Sequence, residues 1–165
     1  MTNFIQYAEH IVAESSGLLG TTGGEHILHF LAESDIENGS VVALGDFVDG
    51  EVWKAKTPAV GDDIFLILSE EKTDEIPGLP MTKEVRYFYN GNGEIMRGYH
   101  LGKYDKFAIS PSGVDGGEKG KFVTVDGKTK KLTAVATAPT ENAFVGYIYD
   151  IASNGNLRII VKKNG

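Results

Sequence analysis

The sequence predicts an all-β protein, a small barrel or sandwich of short antiparallel strands with an N-terminal arm or short helix. Three observations lead there. Twenty-one glycines are spread in turn-like pairs through 165 residues. From Asn38 onward, short β-branched or aromatic runs are separated by turn signals about every 8 to 12 residues. Helical periodicity is nearly absent beyond the same point.

The elements follow in order. "FIQYAEHIVAES", beginning at Phe4, sets Phe4, Ala8 and Ile11 on one helical face beside Ile5 and Val12, and reads equally as an extended arm with apolar anchors. "GLLGTTGGEH" (Gly17 to His26) holds four glycines in ten residues and reads as a flexible joint. "HILHFLAE" is too short to assign by period. The chain therefore divides at about residue 34, into an arm (residues 1–33) and a β-domain (residues 34–165). In the β-domain, "SVVAL" precedes "FVDGEVWKA", a pair of short runs about Asp49-Gly50, a dipeptide that tolerates the positive φ of a tight hairpin. "GDDIFLILSE" supplies a buried strand from Ile64 to Leu68, and "EVRYFYNGNGEIMRGYHL" two alternating runs about Asn90 to Gly93. "DKFAIS", "KFVTVDGKTKKLTAVA", "AFVGYIYDIA" and "LRIIVKK" complete the series. The Asp126-Gly127 and Asn154-Gly155 turns divide the last four strands into two hairpins. Phe107, Phe122, Val145, Ile148 and Ile159 are the expected core.

A hydrophobic fraction of 41% and a charged fraction of 24% are ordinary for a globular protein able to build its own core. No run of about 18 apolar residues offers a membrane span, and the first residues lack the basic start of a secretory signal. With no cysteine, disulfides, thiolate metal sites and cysteine nucleophiles are excluded together. A net charge of −7 argues against nucleic acid as partner, since phosphate neutralisation needs a basic face. "KTKK" at Lys128 to Lys131 reads as a solvated turn.

His26 and His29 converge only on a helix; on a strand they face opposite sides and cannot chelate. The carboxylates Asp46, Asp49, Glu51, Asp62, Asp63, Glu70 and Glu71 offer pairs for glycoside hydrolysis, but Asp46 and Asp49 sit where Asp stabilises turns. "NGNGE" lacks the third glycine and the helix of a dinucleotide loop. "MRGYHLGKYDKFAIS" (Met96 to Ser110) crowds polar groups as an active site does, yet Arg97 and His100 fall on opposite faces of one strand. Gly102 marks the turn there, and Asp105 is placed to bond turn amides. It reads as scaffolding. Trp53, in a hairpin, is a core or interface residue more than a sugar-stacking one. The expectation is no catalytic residue, no metal and no cofactor. Phe4, Ile5, Tyr7, Ile11 and Val12 form an apolar set beside the glycine joint and are the candidate partner-binding residues.

The stretch "DIENGSVVALGDFVDGEVWKAKTPAVGDDIFLILSE", with "FYNGNGEIMRGYHLGKYDKFAIS", "GKFVTV" and "FVGYIYDIASNGNLRIIVK", resembles the small β-rich structural proteins of tailed bacteriophages, capsid decoration or cement proteins among them. The likeness runs over roughly residues 34 to 163 and rests on glycine and β-branched patterns. It implies a virion protein on the exterior of the head, made in the host cytoplasm, binding the major capsid protein and forming a homo-oligomer such as a trimer, without nucleic acid or membrane. A tail, baseplate or head-fibre protein is the alternative, and a glycan-binding or glycan-cleaving domain a third reading.

Overall fold

The computed structural model describes residues 10–14, 18, 27–48, 50–69 and 89–165. The protein is nearly all β, as the run-and-turn pattern predicts. The described residues form twelve strands: β1 (Ala13–Glu14), β2 (Ile27–Leu31), β3 (Val41–Val48), β4 (Val52–Lys56), β5 (Phe65–Ile67), β6 (Ile95–His100), β7 (Lys106–Ile109), β8 (Val114–Asp115), β9 (Phe122–Val125), β10 (Leu132–Val135), β11 (Phe144–Ile151) and β12 (Leu157–Asn164). Five close into a barrel in the order β2-β4-β3-β5-β6, and seven form a second sheet in the order β1-β7-β12-β11-β9-β10-β8. Neighbours are antiparallel except β2 with β4 and β10 with β8.

The turn chemistry is realised where it was read. Gly50 and Gly155 adopt φ of 89° and 90°, inside the β3–β4 and β11–β12 hairpins. β9 and β10 pair across the Asp126-Gly127 turn. One detail differs. "SVVAL" and "FV" form a single strand, β3, whose register shifts between Leu44 and Phe47, as a bulge requires.

β5 explains the architecture. Its "FLI" run is buried at every position because the strand is covered on both faces. Phe65 and Ile67 point into the barrel with Phe30, Ala32, Ile36, Val42 and Met96. Leu66 points the other way, with Val41, Tyr99 and Leu101, into a larger core shared with Phe107, Ile109, Val123, Ile148, Ile159 and Val161 of the seven-stranded sheet. The β3–β5–β6 wall thus separates two cores and belongs to both. Inside the barrel, Gly98 lies beneath Phe30: a Cβ added there would stand 2.5 Å from a ring carbon. No larger residue admits that ring without a shift.

Polar side chains tie the two units and, within the barrel unit, its loops. Asn164, near the end of β12, accepts from Ile64 N at 2.9 Å and donates to Ile64 O at 2.9 Å and Leu101 O at 2.8 Å. Asn38 and Asn90, both nearly inaccessible, donate to Ser69 O (3.0 Å) and Ile36 O (2.9 Å), and Asn90 also donates to Asn38 Oδ1 at 3.1 Å. Buried amides are tolerated because these bonds satisfy them.

Of the five expected core residues, Phe107, Val145, Ile148 and Ile159 are buried, but Phe122 is only half-buried. "KFVTV" alternates, so Phe122 and Val123 cannot both face inward. Pairing with Tyr147 turns the Phe122 ring to the outer face and gives the core to Val123 and Val125.

The expected boundary at residue 34 does not fall at a break in the described structure. Residues 27–31, on the arm side of it, are a barrel strand: β2 pairs with β4 from His29 to Leu31 and with β6 from Ile27 to Leu31.

Candidate functional site

Of the expected partner-binding set, Phe4, Ile5 and Tyr7 lie outside the described residues. Ile11 and Val12 are held by the protein itself. Ile11 is 2% exposed and belongs to the larger core, against Ile109 and the backbone of Gly39 and Gly113. Its N–H donates to Glu37 Oε2 at 2.7 Å, and Nδ1 of the buried His10 lies 3.5 Å from the same oxygen. Val12 is half-buried; its N–H donates to Ser110 Oγ at 3.0 Å and its carbonyl accepts from Ser110 N at 2.8 Å. Ala13 and Glu14 then pair with Ile109 and Ala108, making β1 the edge of the seven-stranded sheet. The Ile11 side chain is therefore used inside the fold.

Among the described residues, two clefts lie beside this segment. One, of about 350 Å³, lies between the loop from Ser34 to Ser40 and the turn from Lys128 to Lys131, with Ile11 and Thr57 at its base. Three of its charged residues are loop ties: Glu37 holds Ile11 N, Asp35 accepts from Asn92 N at 2.9 Å, and Lys130 Nζ donates to Thr57 Oγ1 at 3.2 Å. The other, of about 690 Å³, is open and lined by His10, Val12, Ser110, Pro111, Ser112, Asn154 and Asn156.

The polar groups of the Met96–Ser110 stretch separate as their parity requires. Arg97 is exposed on β6, its guanidinium 5.6 Å from the Tyr99 ring centroid. His100 sits on the other face, Nε2 2.9 Å from Asp63 Oδ2 and its ring edge-on to Phe65 at 5.1 Å. Asn164 Nδ2 approaches His100 Nε2 at 3.5 Å. The His100–Asp63 pair joins β6 to the loop before β5. Asp105 Oδ2 accepts from Gly102 N at 2.8 Å, which is the turn role expected of it.

The remaining carboxylates divide the same way. Asp62 Oδ2 accepts from Ala59 N and Lys56 Nζ, both at 3.0 Å; the backbone donor first, then the lysine, hold its pKa below the ordinary 3.8. Asp126 Oδ1 accepts from Lys128 N at 2.8 Å and Thr129 N at 3.1 Å, and the Lys128 amide is the chief cause of its lowered pKa. Asp46 and Glu51 are exposed, while Asp49, Glu70 and Glu71 lie outside the described residues. His29 is exposed on β2, and His26 is outside the described residues. Among the described residues, no three His, Asp or Glu side chains gather as a metal would need.

Asp126 yields a pH prediction. A carboxyl whose folded pKa is depressed contributes stability that is present above the unfolded value and lost as pH falls through the folded one. Asp126→Asn should therefore be less stable than wild type near neutrality, with the difference shrinking as pH falls below 3.8. Urea unfolding across that range checks it, and a difference that does not change with pH contradicts it.

No family model, characterised protein or solved structure matches this chain.

What the strands do present is apolar surface. Phe47, Ile95, Tyr149 and Ile151 are exposed on β3, β6 and β11, along with Leu44. Trp53 is half-buried, packs on the barrel core and receives Phe47 edge-on, with ring centroids 4.9 Å apart. Reading for catalytic residues passes over such positions. The signal was present in "FVGYIYDI", where Tyr147 and Tyr149 alternate with Ile148 and make both faces of one strand apolar.

Proposed function

We propose that this chain is a structural protein of a bacterial virus, bound to the exterior of the head shell as a decoration or cement protein, with the major capsid protein as its partner and no catalytic role. The observation that carries the proposal is the exposure of large apolar side chains, Phe47, Ile95, Tyr149 and Ile151, on paired strands of a rigid all-β scaffold. Side chains fixed on paired strands lose little freedom on docking, which favours standing contacts with a protein surface. The resemblance of residues 34–163 to small tailed-phage structural proteins supplies the class of that surface. The same features serve a tail, baseplate or head-fibre protein, which is the second reading.

The test is direct. The protein should copurify with intact viral particles, and antibody against it should label the shell. Labelling confined to the tail selects the second reading, and absence from particles overturns both.

A further inference from the structure

Two exposed apolar surfaces of this chain have opposite charge. We propose that they meet between copies, the β3–β4 hairpin of one seating on the outer face of the seven-stranded sheet of the next.

The receiving surface comes first. An antiparallel sheet with one face on a core normally carries polar residues on the other. Here Val135, Phe122, Tyr147 and Ile160 are successive cross-strand neighbours over β10, β9, β11 and β12, so their side chains share the outer face. All four are half-buried, and Tyr149, at the register shift in β11, extends the stripe. The Phe122 and Tyr147 rings are 5.2 Å apart. The rim is basic. Lys106, opposite Ile160, holds its Nζ 5.8 Å from the Tyr149 ring centroid, and Lys162 Nζ lies 5.6 Å from that of Tyr147. Arg158 stands on the same strand, 3.2 Å from Asp150.

The inserting surface is the hairpin. Phe47 is 58% exposed, braced edge-on by Trp53 and flanked by exposed Asp46 and Glu51. Among the described residues, Asp46, Glu51, Lys106 and Lys162 form no ion pair. Two such sheet faces packed on each other would bring two rims carrying Lys106 and Lys162 together, and like charges repel. The stripe calls for an apolar group in an acidic setting, and the hairpin of a second copy supplies it. Because the two patches differ, the contact is head-to-tail, and it builds a ring wherever the rotation closes. This association needs no capsid, although it uses Phe47 and Tyr149, which the head-shell reading also draws on; sedimentation of the isolated chain tests it without particles.

Sedimentation velocity on the full chain tests it. Mass should rise with concentration and fall with added salt. Phe47→Ser should weaken association by about tenfold or more. Reversing the hairpin charges (Asp46→Lys with Glu51→Lys) should give monomers, as should reversing the rim (Lys106→Glu with Lys162→Glu). Mixing the two reversed proteins should restore assembly, since each then offers what the other lacks. These positions are exposed, and unchanged circular dichroism verifies each fold. A wild type that stays monomeric at every concentration overturns the proposal. So does a reversed protein that assembles as well as wild type, or a mixture that stays monomeric.

Discussion

A chain that begins at Ser34 is expected to lose its cooperative unfolding transition. Removing β2 opens the barrel and leaves β4 and β6 with unpaired edges. It also removes Phe30 and Ala32, both wholly inaccessible in the barrel core. Loss of a buried phenylalanine alone costs about 3 to 5 kcal/mol. Each lost strand hydrogen bond adds about 0.5 to 1.5 kcal/mol. Together these approach the whole stability of a typical domain, about 5 to 15 kcal/mol. Circular dichroism with urea or heat decides the matter. A sigmoidal transition near that of the full chain would make β2 dispensable and restore the boundary expected at residue 34.

The second large effect is a contrast between two phenylalanines. Phe107→Ala should cost about 3 to 5 kcal/mol, because the ring is 3% exposed against Ile109 and Ile159. Phe122→Ala should cost about 1 to 2 kcal/mol, because its ring lies on the outer sheet face with only partial cover. Urea unfolding at low protein concentration gives both numbers. Equal costs would mean that the Phe122 ring is as deeply buried in solution as that of Phe107, and the outer face would then not be open.

The strands and hairpins were legible because turn chemistry is local. Asp126-Gly127 and Asn154-Gly155 need only their own backbone preferences to mark where the chain reverses. Alternation likewise placed Phe107, Ile148 and Ile159 inside. What stayed hidden depends on partners far along the chain. Asn90 reads as a turn residue and Asn38 only as the start of the strand series, and only the fold shows them as buried donors bonded to each other. Phe122 and Val123 compete for the core, and the winner is set by register against β11. "HILHFLAE" has strand alternation over too few residues to outweigh the glycines before it, so β2 was assigned to an arm. The candidate site was less legible than the fold. Ile11 belongs to an apolar set whether it faces a partner or its own core, and hydrophobicity alone cannot choose between them.

The placing of β1 and β2 has a consequence for biosynthesis. Val12 finds its backbone partner in Ser110, 98 positions later, and β2 cannot pair with β6 until His100 has been made. At a translation rate of roughly 5 to 20 residues per second, Val12 waits roughly 5 to 20 s on the ribosome before Ser110 exists. Until β6 is made, β2 has only β4 to pair with, and the Val12 backbone lacks its partner until Ser110 follows. The nascent chain is thus a natural client for ribosome-associated holdases, and the sheet edge is stapled only late in translation.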